Sequence, residues 1–131
     1  YIIQNKLIHN VRLSGRIAYD ELKPFFEKNN VGIPFIPLED CYQDQPPTKT
    51  FEYVLSGLYC IATRTRANKE VVTPQNGILI NDTAADFCEA LKTLFSQKNK
   101  FQSDNIRNTL TERYAWKAIV NKNIIPIIKN L

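Results

Sequence analysis

No run of about 18 apolar residues occurs in the chain, so the sequence offers no membrane-spanning helix, and no cleavable signal pattern opens it. Histidine occurs once, as His9 in a polar stretch. A Ser-His-Asp triad, a Cys-His pair or a histidine-based metal site would each have to be built around that residue, which argues against all three. The three cysteines, Cys41, Cys60 and Cys88, are odd in number and show neither CxxC nor metal-ligand spacing. They read as reduced thiols in a cytoplasmic setting rather than as a disulfide framework. Methionine is absent and the chain opens at Tyr1, so the expectation is that further motifs lie upstream.

Acidic residues are scarce toward the C-terminus. Residues 98–131 hold seven Lys/Arg against Asp104 and Glu112, a net +5 in a chain whose total is +4. A basic terminal segment points to nucleic acid, to an anionic membrane surface, or simply to a solvated helix face. With 131 residues, 44% hydrophobic and 23% charged, the chain is expected to form one globular domain with a real core.

The most informative stretch runs from Pro46 to Thr63 and reads as loop, helix, tight turn and buried strand. Pro46 and Pro47 set an irregular entry, and Thr48 offers a hydroxyl to the first helical turn. Phe51, Val54 and Leu55 share one face, and Gly57 suits the left-handed position that ends a helix. Leu58–Ala62 is apolar enough to be covered on both faces. Glu52 is expected within the first turn, where it either complements the helix dipole or binds a ligand; the dipole and free N–H groups there favour phosphate.

Elsewhere, Ile2, Ile3, Leu7 and Ile8 have the spacing of a helix end, and Val11–Gly15 alternates like a short strand before a turn. Tyr19–Asn29 reads as an amphipathic helix bearing Leu22, Phe25 and Phe26. Val31–Pro37 reads as a short strand that Pro34 confines to an edge, a bulge or a frayed end. Asn68–Val72 suggests one helical turn, and Ile78–Ile80 a further strand. Thr83 and Asp86 form a capping box before a helix with Phe87, Leu91, Leu94 and Phe95 on its apolar stripe. The Asn81-Asp82-Thr83 sequon reads as chance. Ile106, Leu110 and Tyr114 continue a helical pattern, and a last helix opens at Trp116 and should kink near Ile125 at Pro126. Strands alternating with helices imply a parallel sheet with helices on both faces and ligands beyond the carboxyl ends of its strands.

The run Lys49–Thr63 resembles the "K-x-x-E-Y-x-x-x-G-x-P-V-I-A" segment of retaining GT-B glycosyltransferases of the family 4 type. Val11–Gly15 is similar to that family's "V-x-L-x-G", Gly77–Ile80 to its "N-G-x-L-(V/I)" and Tyr114–Trp116 to the opening of its terminal helix. The resemblance implies a Rossmann-like C-terminal half of a GT-B fold, binding a nucleotide sugar as substrate, with neither cofactor nor metal. It implies donor contacts by Glu52 (ribose), Thr48 and Lys49 (phosphate), and Gly15 and Arg16 (base), although an ordinary turn explains the last two equally well. Asp44 stands eight positions before Glu52, where many members carry a glutamate, and is the implied catalytic carboxylate. Glu39 or Asp40 could supply that contact instead, or the acidic cluster could be a solvated loop. Glu70-Val71-Val72 matches "E-(I/V)-V" without the glycine that usually precedes it. The first strand, the diphosphate cations and an N-terminal domain for a glycan or lipid-linked acceptor would lie upstream. The implied role is hexosyl transfer in polysaccharide or lipid-linked glycan synthesis; the basic tail, in turn, suggests peripheral contact at the inner face of a membrane. The competing reading is a non-catalytic α/β module that binds nucleic acid through the basic tail; it needs exposed aromatics among the cations, whereas Tyr114 and Trp116 are expected to serve packing. A receiver-like regulatory domain lacks its acidic cluster and phosphoacceptor aspartate.

Overall fold

The computed structural model describes residues 1–97 and 101–129. Its centre is β2 (Tyr59–Thr63), in which every residue is buried, as an apolar run with no polar alternation requires. β1 (Val31–Gly32) and β3 (Gly77–Ile80) flank it in parallel, giving the order β1-β2-β3. α2 (Thr48–Leu55) connects β1 to β2, and α3 (Arg66–Val71) connects β2 to β3. A strand order that advances in one direction, with crossovers of one hand, puts both connecting helices on the same face. Val54 of α2 and Val71 of α3 accordingly share a cluster with Cys60, and with Ile106 and Leu110 of α5 (Ser103–Tyr114). The next residue of β2, Ile61, turns to the other face and packs with Ile80 and with Ala90 of α4 (Ala84–Gln97). The protein is thus α/β, a small parallel sheet flanked by helices and compatible with a Rossmann-like arrangement.

α2 ends as its sequence indicates. The Gly57 N–H donates to the Val54 carbonyl at 2.9 Å and the Leu58 N–H to the Tyr53 carbonyl at 2.9 Å. Gly57 sits at φ +85°, the conformation this reversal needs, and its α-carbon lies against Ser103, leaving no room for a β-carbon. The same glycine therefore turns the chain into β2 and lets the start of α5 approach.

Other elements depart from expectation. Residues 1–18 form turns and extended chain, not a helix end and a strand: Val11 and Leu13 are exposed, Leu13 at 81%, and of the expected strand and turn only the left-handed backbone of Gly15 (φ +67°) is present. Alternation makes a strand only where an edge accepts it, and among the described residues β1 pairs with β2 alone. β1 is itself an edge strand that stops before the buried Pro34, as that residue's missing N–H demands. The Tyr19–Asn29 helix is split into a 3-10 turn (Tyr19–Glu21) and α1 (Lys23–Glu27), because Pro24 fits only a first turn. On α4, Phe87 and Leu94 pack inward, whereas Leu91 and Phe95 face solvent, Phe95 at 71%, since the narrow sheet covers little of the helix. The expected cap of α4 is present, with the Asp86 N–H donating to Thr83 Oγ1 at 3.1 Å.

After α5, α6 (Trp116–Ile119) runs through a π-helical turn (Val120–Ile124) into α7 (Ile125–Lys129). The irregularity expected near Ile125 from Pro126 takes the form of this π-helical turn rather than a break. The wider turn ahead of Pro126 carries the helical path past a residue that has no N–H to donate.

Candidate functional site

A cavity of about 340 Å³ opens at the carboxyl end of β1. One wall is the segment that follows the strand, Pro34–Pro37, and the other is Tyr42, the Pro46-Pro47 entry and the first turn of α2. The walls are anchored to the sheet by specific bonds. The Ile36 N–H donates to Thr63 Oγ1 at 2.9 Å, and the Leu38 N–H to Asp82 Oδ2 at 3.1 Å.

Beneath the first turn of α2 lies a buried polar network. Thr50 Oγ1 donates to Asn68 Oδ1 at 2.7 Å, Asn68 Nδ2 donates to the Thr63 carbonyl at 2.8 Å, and the Asn68 N–H donates to Thr65 Oγ1 at 3.1 Å. Thr50, Thr63, Thr65 and Asn68 are all fully buried. One amide therefore joins the start of α2, the end of β2 and the start of α3, the three elements whose ends shape the carboxyl side of the sheet. Sequence reasoning treated Asn68 only as part of a helical turn. The visible signal was Thr65 three residues ahead of it, the spacing at which a cap hydroxyl accepts from the backbone.

Thr48 and Lys49 line the cavity, as their place at a helix start leads one to expect. The cap is not as expected: Pro47 holds that position, and the Thr48 N–H donates to the Pro46 carbonyl at 2.9 Å. Glu52 is the fifth residue of α2, so no acid occupies the first turn and the dipole-complement explanation of Glu52 loses its geometric basis. It is half-buried, and its side chain makes no hydrogen bond or ion pair among the described residues; it does not line the cavity.

Asp44 is held. Arg66 Nε and Nη2 donate to its two carboxylate oxygens at 2.8 and 2.5 Å, and this hydrogen bonding is the main cause that lowers the Asp44 pKa below its ordinary value. Next to it, Gln43 accepts the Arg66 N–H on Oε1 at 3.2 Å and the Ala67 N–H on its carbonyl at 3.0 Å. The acidic loop is thereby docked onto the start of α3, beyond the carboxyl end of β2. Gly15 and Arg16 do not join them: both are exposed on the unpaired leading segment and neither lines the cavity. Tyr114 packs against Phe51 at a centroid distance of 4.7 Å, but Trp116, also expected in the core, is 79% exposed.

Among the described residues, no group of three or more His, Cys, Asp or Glu side chains is placed to hold a metal, and no helix is long and apolar enough to cross a membrane. Comparison with family models, curated proteins and solved structures finds no match for this chain.

Proposed function

We propose that residues 1–131 form a nucleotide-sugar donor-binding domain of a glycosyltransferase, of the retaining GT-B kind that the Lys49–Thr63 segment resembles. The observation that carries this reading is the 340 Å³ cavity at the carboxyl end of a parallel strand, walled by the helix start that bears Thr48 and Lys49. Parallel α/β sheets bind ligands on that side, and a helix N-terminus with a lysine favours a diphosphate. Thr48 and Lys49 take the phosphates in the cavity, and Glu52, outside its lining and with no hydrogen bond or ion pair to its carboxylate among the described residues, takes the ribose hydroxyls of a donor that reaches beyond the cavity. Asp44 acts on the sugar only after exchanging its bonds to Arg66 for bonds to the ligand. Base contacts by Gly15 and Arg16 require the leading segment to move onto the site. Acceptor chemistry lies outside these residues, so the chain binds donor without transferring it.

The test is calorimetric titration with UDP, GDP and the corresponding nucleosides. Lys49→Ala is expected to weaken the diphosphates more than the nucleosides. Glu52→Gln, which keeps shape and removes charge, is expected to weaken both at least tenfold, given about 1.5–3 kcal/mol for each charge-assisted bond. Absence of nucleotide binding by the unsubstituted chain, or binding indifferent to both changes, refutes the assignment.

A further inference from the structure

We propose that the C-terminal helical arm, Trp116–Lys129, docks on an anionic lipid bilayer. Two independent features of the arm point there. Its large apolar side chains are turned outward: Trp116 is 79% exposed, Ile127 64% and Ile128 62%, with Ile124 also exposed. Its charge is of one sign, since residues 113–129 contain Arg113, Lys117, Lys122 and Lys129 and no Asp or Glu. Lys117, Lys122 and Lys129 are all exposed.

The π-helical turn matters here. Had Pro126 broken the helix, Ile127 and Ile128 would belong to a separate segment; instead α6, the wide turn and α7 form one continuous path. Within α7 Ile125 is partly buried, and residues 126–129 are exposed. A helix that combines Trp and Ile with lysines suits the boundary between acyl chains and headgroups, where the rings and branched chains enter the apolar layer and lysine stems reach back to lipid phosphates. A nucleic acid would use the same cations, but isoleucine has no ring face on which a base can stack, and Trp116 is the only aromatic residue of the arm. The bilayer is therefore the occupant that uses both features. This inference does not depend on the donor-binding reading.

Trp116 is the single tryptophan of the chain and reports directly on its own surroundings. The experiment records its emission, together with vesicle co-sedimentation, for the intact chain and phosphatidylcholine vesicles with or without phosphatidylglycerol. A blue shift and sedimentation with the anionic vesicles only, both reduced by salt, are expected. Lys122→Gln and Lys129→Gln should each weaken partitioning roughly fivefold, and Ile127→Ser with Ile128→Ser should abolish the blue shift. These positions are exposed, so the fold should survive, which circular dichroism checks. Equal binding to uncharged vesicles, or no binding to either, overturns the proposal. So does a shift that appears with protein concentration alone, which marks self-association, or one produced by single-stranded nucleic acid and not by vesicles.

Discussion

Removal of the Asn68 side chain is the most demanding test of how the carboxyl side of the sheet is held. Asn68→Ala deletes the acceptor of the Thr50 hydroxyl and the donor to the Thr63 carbonyl, both fully buried, and leaves a cavity between three elements. Each buried group stripped of its partner costs about 1–3 kcal/mol, so the pair predicts a loss of roughly 2–6 kcal/mol, a large share of a stability of about 5–15 kcal/mol. Thr50→Val breaks only the first bond and should cost about 1–3 kcal/mol, because the Asn68 oxygen stays buried without a donor. The assay is urea denaturation, read as a lower midpoint at unchanged slope. The double variant should lose less than the two single losses summed, since both singles break the same Thr50–Asn68 bond. An Asn68→Ala loss below about 1 kcal/mol, or strict additivity with Thr50→Val, would refute the network as the tie between α2, β2 and α3.

Gly57→Ala forces an unfavourable φ and drives a methyl into Ser103; a loss of more than about 1 kcal/mol is expected in the same denaturation assay. Asp44, hydrogen-bonded by Arg66, and Asp86, hydrogen-bonded by Asn81 and Thr83, both have carboxyl pKa values lowered from the ordinary 3.8. Their folded-state pKa values lie below the unfolded ones, so their contribution is full above the unfolded value and lost as pH falls through the folded one. Midpoints measured on acidification through that range should fall less steeply in Asp86→Asn. Burial pushes the Cys60 thiol up to about 12, whereas Cys41 and Cys88 are exposed. A thiol reagent near pH 8 should therefore titrate two cysteines in the folded chain and the third only in denaturant.

What local sequence determined is what neighbouring residues decide among themselves. The apolar run of β2, the Gly57 reversal, the Thr83 and Asp86 cap and the Pro34 strand end were all legible, because each depends on residues a few positions apart. The alternation of strands and helices likewise carried the α/β class and the parallel sheet. Position of Thr48 and Lys49 beside a helix start was legible for the same reason. Patterning failed where an outcome needed a distant partner. Val11–Gly15 alternates like a strand but among the described residues no edge receives it, and Trp116, apolar and expected in the core, is 79% exposed. Register within α2 also escaped it, since the helix begins at Thr48 after a prolyl cap and so carries Glu52 beyond the first turn. The commitment of Asp44 to Arg66, 22 residues on, and the meeting of Thr50 with Asn68, 18 residues on, belong to the tertiary fold alone. Hydrogen bonds between side chains that far apart exist only after β2 has brought α2 and α3 together, and no local spacing encodes that approach.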